Sequence, residues 1–323
     1  MVDWAAWTLR VGCPVWRSAG WVGTLYATAS AQKQALQIYT NAFPTVEGNS
    51  TFYSLPSETL VTQWVEQAAP GFRFCFKVPR EISHELSLRS ADAPLQQFCS
   101  RLEPLLAAGR LGPIFLQLPP SFDAGCYPAL ETFIRRLPTA FAWSVELRHP
   151  DWFEGDTQKM VEALLRERGV DRVLLDSTVI HATTPRTDTE RITRGRKPVV
   201  PRLDDVTGTQ PMVRLIGRDL LDRPHRGVLS IRERSSEGYL SDAAAVIADW
   251  SFWLDRAVDW LKDGLRPYFF VHTPDDRHAP VLCHAFYVAV RDRAAAANLS
   301  LPALPPLLSD ADSSPKQRTL FDL

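Results

Sequence analysis

A chain of 323 residues with 45% hydrophobic side chains carries enough apolar surface for one large domain or two ordinary ones. Its formal net charge of -1, from 36 Lys and Arg against 37 Asp and Glu, excludes bulk attraction to nucleic acid or an acidic membrane, so any polyanion site must be a local basic patch. Five cysteines, odd in number and without a C-x-x-C pair, exclude a disulfide framework and a zinc knuckle and fit reduced thiols of a cytoplasmic protein.

Residues 1–4 open no basic and apolar leader, so no signal peptide is expected. No apolar run reaches the ~20 residues of a membrane helix, and no membrane partner is expected. The ten Trp are expected to line a groove or wedge between helices.

A first short strand is predicted over residues 9–13, followed by a loop with Trp16, Trp21 and Tyr26. Residues 31–42 have helical spacing, and a second strand runs over 44–48 into the polar turn Asn49-Ser50-Thr51-Phe52-Tyr53. Ser57 is the expected N-cap of a helix over 58–68, stopped by Pro70-Gly71. Residues 72–78 alternate as a third strand, and 92–108 form a long helix. The fourth strand is 113–118, the next helix 128–137 and the fifth strand 141–147. A helix over 158–168 ends at Gly169, and the sixth strand, 170–175, closes at Asp176.

The alternation then pauses. Residues 177–210 are polar, rich in Arg, Thr and Pro, and without a period, which predicts a long insertion over one end of the fold. Strand seven is 212–216, a Trp-rich helix spans 242–262, strand eight is 267–272, and the last helix is 280–297. Eight strands separated by helices predict an α/β fold, a TIM-type (β/α)8 parallel barrel in a single domain over 1–298, with a flexible tail over 299–323. The rival is an open doubly wound sheet. It would more usually carry a glycine-rich phosphate turn, and neither G-x-G-x-x-G nor G-x-x-x-x-G-K-[ST] occurs.

In a barrel, chemistry collects on the loops after the strands. Those positions hold Trp16, then Glu47, Asn49, Thr51 and Tyr53, then Lys77, Arg80 and His84, then Gln117. They continue with Glu146, Arg148 and His149, then Asp176, Arg214, His272 and Asp275. Three functional readings follow. Glu47 and Glu146, one protonated and one ionised, would perform acid–base hydrolysis. Lys77, Arg80, Arg148 and Arg214 would hold a phosphate-bearing ligand, with Trp16 and Tyr53 stacking on a sugar or base. A divalent metal on Glu47, Glu146, His149, Asp176 or His272 is the third, and no H-x-H or H-E-x-x-H spacing supports it.

Each candidate also has a purely structural reading. Both glutamates fit buried ion pairs with Lys77, Arg148 or Arg214. His84 and His149 fit hydrogen-bonded framework histidines. Asn49, Thr51 and Asp176 fit caps and turns, and the Trp and Tyr fit packing.

Four motifs carry a resemblance. They are Val46-Glu47-x-Asn49-Ser50-Thr51-Phe52-Tyr53-x-Leu55-Pro56, Phe74-x-Phe76-Lys77-Val78-Pro79-Arg80-x-Ile82-x-His84, Gln117-Leu118-Pro119-Pro120-Ser121-Phe122 and Val145-Glu146-Leu147-Arg148-His149-Pro150-x-Trp152. Their sequences and order resemble the YecE-like family, domain of unknown function 72, over about residues 9–297. The resemblance implies a TIM-type barrel and no established reaction. A likeness of such barrels to endonuclease IV and sugar isomerases is an analogy of fold. The chain departs from the family pattern at Gly12-Cys13-Pro14-Val15-Trp16, at Gly48 in place of Ile, at Arg214-Leu215-Ile216-Gly217, which lacks a His, and at His272-Thr273-Pro274-Asp275.

The tail contains Gln317-Arg318-Thr319-Leu320-Phe321, which resembles the Q-x-x-L-F peptides of bacterial sliding-clamp partners. Gln317, Leu320 and Phe321 would be the contacts, and the alternative is that Leu320 and Phe321 fold back on the barrel. The expectation is an enzyme of hydrolase or lyase type, acting on a phosphate- or sugar-containing ligand, a small anion or sugar phosphate, with DNA maintenance as the expected setting. In it Glu47, Glu146, Lys77 and His149 would be catalytic. The alternative is a non-catalytic ligand- or clamp-binding module.

Overall fold

The structure is a computed structural model that describes residues 1–220 and 237–308. Eight parallel strands occur where periodicity places them: β1 (Arg10–Gly12), β2 (Thr45–Gly48), β3 (Arg73–Phe76), β4 (Ile114–Gln117), β5 (Trp143–Glu146), β6 (Asp171–Asp176), β7 (Met212–Ile216) and β8 (Tyr268–His272). Six of them form a sheet in the order β1-β8-β7-β6-β5-β4, and β2 and β3 form a second sheet. Every strand pair is parallel. The larger sheet curves as a half-barrel, and the pair β2-β3 lies between its two edges. Glu47 N donates to Cys13 O at 3.0 Å beside β1. Lys77 bridges Phe115 on the β4 side, where Val78 N also donates to Phe115 O at 3.0 Å.

Helices pack outside the strands for reasons local to the sequence. The Ser57 hydroxyl accepts from Leu60 N at 3.2 Å and starts the helix Glu58–Gln67. Gly169, at φ 61°, ends Gly155–Arg168 in the left-handed conformation that suits glycine. The apolar faces and the indoles fill the layer between helices and strands. Trp4, Trp21, Trp152, Trp250, Trp253 and Trp260 are essentially inaccessible, so these indoles wedge elements together and line no open groove. The Trp-rich stretch is two helices, Glu237–Asp249 and Ser251–Lys262, with Trp250 at their junction.

The stretch 177–210 is partly helical, with Thr178–Ala182 and Asp188–Arg196. Thr187 caps the second, accepting from Glu190 N at 3.1 Å. Part of the expected tail is packed. Leu304 and Leu307 are buried, Leu308 N donates to Thr24 O at 3.0 Å, and Tyr287 donates to Pro302 O at 2.7 Å. Gln317, Leu320 and Phe321 lie outside the described residues. All five cysteines are free. Among the described residues no helix is long and apolar enough to cross a membrane.

Candidate functional site

The C-terminal ends of the strands carry an inward-facing polar cluster on an apolar floor. The floor is Cys75, Phe115, Val173, Met212, Tyr268 and Phe270, all buried. Above it, β2 supplies Glu47, β3 leads into Lys77, and β4 and β5 end in the side-by-side pair Gln117 and Glu146. From β7 comes Arg214, and His272 ends β8. All six side chains are buried. Alternation along a strand turns every second residue to the same face, so strand-end residues in register converge.

Arg214 joins the two carboxylates. Its Nε and Nη2 donate to Glu47 at 2.8 and 3.0 Å, and Nη1 donates to Glu146 Oε2 at 2.5 Å. Glu47 also accepts from Asn49 Nδ2 at 2.8 Å and from His272 Nε2 at 3.1 Å. Glu146 accepts from Gln117 Nε2 at 2.8 Å, with Arg148 Nε 3.4 Å away. The Gln117 carbonyl in turn accepts from Lys77 Nζ at 2.6 Å. This charge-assisted chain runs from Lys77 through Gln117, Glu146, Arg214 and Glu47 to His272. The ammonium of Lys77 also stands 3.7 Å from the centre of the Phe52 ring.

The electrostatics follow. Burial pushes the Glu47 carboxyl up, but Arg214 and then His272 outweigh it and hold Glu47 well below the usual carboxylate range. Glu146 is lowered in the same way: burial opposes, and Arg214, Arg148 and Lys77 prevail. The guanidinium of Arg214 is held more firmly protonated than usual, because the two glutamates overcome its burial. His272 is depressed to about 4, chiefly by burial, so it donates to Glu47 as a neutral imidazole. Lys77 falls to about 8, through burial first and Arg214 second.

This geometry corrects one reading of the sequence. The two glutamates are not a pair with one proton between them; both are ionised and share one arginine. Asp176 and His149 stand apart from the cluster. Asp176 accepts from Thr178 N at 2.8 Å, Thr178 Oγ1 at 2.5 Å and Trp253 Nε1 at 2.6 Å. It therefore holds the end of β6 to the outer helices. His149 Nδ1 accepts from Asp151 N at 3.3 Å and caps the turn Pro150–Phe153. The divalent-metal grouping of Glu47, Glu146, His149, Asp176 and His272 is thus divided. Among the described residues no three His, Cys, Asp or Glu side chains come together as metal ligands.

The other candidates are more peripheral. Thr51 Oγ1 donates to Lys77 O at 2.6 Å and fixes the β2 turn against β3. Arg80 is exposed and paired with Glu85 at 3.2 Å, Tyr53 is exposed, and Asp275 pairs with Arg277 at 3.0 Å. Trp16 packs edge-on against Trp64, 5.6 Å between ring centres. His84 is held at about 4 by burial and then by Lys77, its Nδ1 lies 2.8 Å from Ser83 Oγ, and its ring is edge-on to Phe52. The departure at Gly48 has a partner: a Cβ there would stand 2.4 Å from the Phe76 ring. Arg148 lies at the rim, its Nη2 donating to Arg196 O at 3.3 Å.

Sequence reading missed Lys197. It follows the helix Asp188–Arg196, and its ammonium lies within electrostatic reach of Arg214, Glu47, Glu146 and Arg148. Burial first, then Arg214, lowers it to about 8. An aperiodic segment gives no signal that would aim this residue inward. An outer cavity of about 340 Å³, lined in part by Leu88, Ala91, Pro128 and Phe133, lies away from the strand ends. Its ion pair, Arg136–Asp92 at 3.0 Å, is exposed, so the buried chemistry belongs to the strand ends.

Solved structures share this fold. A DUF72 family protein from Enterococcus faecalis V583 superposes with a TM-score of 0.62 at 17% identity, over 92% of this chain and 98% of that one. Another from Thermotoga maritima MSB8 gives 0.58 at 20% identity, over 87% and 98%. The UPF0759 protein YecE of Escherichia coli K12 is 36% identical over 284 residues, 88% of this chain and 93% of that protein. The UPF0759 protein YunF of Bacillus subtilis 168 is 25% identical over 207 residues, 61% of this chain and 66% of that protein. The model of the family described as protein of unknown function DUF72 matches residues 10–306, and the chain is a member of that family.

Proposed function

We propose that the strand-end cluster binds a small oxyanion-bearing ligand, a phosphate or sugar phosphate, in an eight-stranded TIM-type barrel closed by β2 and β3. Support for closure comes from the hydrogen bonds on both flanks of the β2-β3 pair, Glu47 N to Cys13 O and Val78 N to Phe115 O. Gly12 fits the same account, since a Cβ there would meet Thr45 O at 2.2 Å.

The observation that carries the ligand class is the division of charge. Arg214 bridges both glutamates, and Lys77 and Arg148 bring the cations to three against two buried carboxylates, which leaves one positive charge beyond those the carboxylates balance. In a recessed site with an apolar floor, uncompensated cations attract anions more strongly than they would in water. Acid–base chemistry, in this reading, falls to Lys77, which exchanges its proton near pH 8, while Glu47 and Glu146 fix Arg214.

Calorimetric titration with inorganic phosphate tests the binding. Wild type should bind, and Arg148→Gln should weaken binding about tenfold or more by loss of one rim charge. No heat of binding at millimolar phosphate would refute the reading. Lys77→Arg separates enzyme from binding module, because arginine keeps the charge but does not release its proton near neutrality. An enzyme screened on sugar phosphates should lose turnover in Lys77→Arg while still binding phosphate. A module has no turnover to lose.

A further inference from the structure

The segment between β6 and β7 is folded across the strand ends. At one side Arg148 Nη2, just beyond β5, donates to Arg196 O at 3.3 Å. At the other, Thr193 Oγ1 donates to Pro274 O, just beyond β8, at 3.3 Å. Behind it Ser177 Oγ donates to Pro198 O at 2.8 Å, and His181 Nε2 lies 3.3 Å from Lys197 O. Three contacts therefore hold the carbonyls of Arg196, Lys197 and Pro198, and the Thr193 hydroxyl anchors the helix before them. Lys197 itself is half-buried, and its charge acts on Arg214, Glu47, Glu146 and Arg148.

The surroundings of Lys197 do not neutralise it. It makes no hydrogen bond or ion pair through Nζ among the described residues, whereas Lys77 is tied to Gln117. The acids within its reach, Glu47 and Glu146, are already committed to Arg214. The remaining groups facing it are Arg148 beyond β5, His272 of β8 and Asp276 in the turn beyond. His272 is neutral and hydrogen-bonded to Glu47. Burial raises the Asp276 carboxyl to about 7, so its charge is only partly present at neutral pH. Four cations, Lys77, Arg148, Lys197 and Arg214, thus oppose two fully ionised carboxylates, a formal excess of two positive charges before Asp276 is counted.

We propose that Lys197 is a ligand-contacting residue of the strand-end site, carried in by the folded-over segment, and that it makes the site select doubly charged oxyanions, phosphate monoesters, over singly charged phosphodiesters. The inference rests on the oxyanion reading given above. With the partly ionised Asp276 counted, the excess lies between about one and two, and a monoester dianion neutralises more of it than a diester monoanion does. A diester leaves part of that positive charge unbalanced in a poorly solvated place, which is unfavourable.

The experiment is calorimetry at pH 7.5 on the full chain with methyl phosphate and dimethyl phosphate as probes. Wild type should bind methyl phosphate at least about tenfold more tightly, as expected for one further unit charge at contact distance in a partly screened site. Lys197→Met should lose about that factor for methyl phosphate and leave dimethyl phosphate within about threefold. Lys197→Arg should restore the preference. A Lys197→Met protein that binds methyl phosphate like wild type overturns the proposal, as does a wild type that does not discriminate. If wild type binds neither probe, the oxyanion reading itself fails. A second measurement needs no variant: mass spectrometry of acetylation of the wild-type chain should show Lys197 protected by methyl phosphate and the exposed Lys159 unprotected. Equal labelling of Lys197 with and without saturating methyl phosphate also overturns it.

Discussion

Replacing Arg214 by Met tests whether one guanidinium holds the site together. Arg214 gives three charge-assisted hydrogen bonds to Glu47 and Glu146, and both carboxylates are fully buried. Without it Glu47 keeps Asn49 and His272, and Glu146 keeps Gln117 and Arg148. Glu47 would then be a fully buried carboxylate hydrogen-bonded to neutral partners alone. Removing one partner of a buried ion pair costs about 3–5 kcal/mol. For 323 residues the unfolding entropy is about 0.7 kcal/mol/K, so Tm should fall by about 4–7 °C at neutral pH.

The pH dependence carries the sharper test. In the wild type both carboxyls lie below their unfolded value, so they bind protons less readily when folded. Their stabilisation is present above the unfolded value near 4.5 and is lost as pH falls through the lower folded values. In Arg214→Met, burial without the guanidinium raises the Glu47 carboxyl above its unfolded value, while Glu146 keeps Arg148 and Lys77. The sign reverses: the variant should gain stability relative to wild type as pH falls from 7.5 toward 5. Urea unfolding at those two pH values measures it. A loss under about 1 kcal/mol at pH 7.5, or an identical difference from wild type at both pH values, would refute the reasoning.

Other parts of the account make separate predictions. Asp176→Ala strands the Trp253 indole N–H and the Thr178 amide, and should cost about 2–4 kcal/mol while phosphate affinity stays within twofold. A large affinity change would move Asp176 into the site. His272, depressed to about 4, should remain neutral at pH 5.5 by nitrogen NMR of its imidazole. Because its folded value lies below the ordinary 6.5, its contribution to stability is present above pH 6.5 and is lost as pH falls toward 4. A His272 protonated at pH 6 would contradict the network. Gly12→Ala places a methyl 2.2 Å from Thr45 O and should cost about 1–3 kcal/mol by urea unfolding, because β1 and β2 must part. An unchanged midpoint would argue against close approach at that flank.

The strands were readable because each is a short apolar run bounded by turn residues, as Phe74 to Val78 is before Pro79 and Arg80. Strand-end position also singled out Glu47, Lys77, Gln117, Glu146, Arg214 and His272, which the fold brings into one cluster. Their roles were less legible. Arg214 meets Glu47 across 167 positions and Glu146 across 68, and local pattern carries no information on which carboxylate an arginine will reach. His149 read as catalytic because it follows the fifth strand, but its ring turns back to cap its own loop.

Lys197 was invisible for a different reason. The helix before it has a single buried residue, Glu190, which accepts from Asp219 N at 2.8 Å in place of an apolar face. A helix held by a buried hydrogen bond has no hydrophobic period to read. The junction at Trp250 was hidden likewise, since apolar residues continue through it on both sides.

The most direct test of an oxyanion site at the strand ends is a crystal structure of the full chain with saturating phosphate. The account predicts an anion within hydrogen-bond distance of Lys77 Nζ and the Arg148 guanidinium, with Arg214 still bridging Glu47 and Glu146. An anion elsewhere with the cluster unoccupied, or Arg214 released from both carboxylates to hold the phosphate, would contradict it.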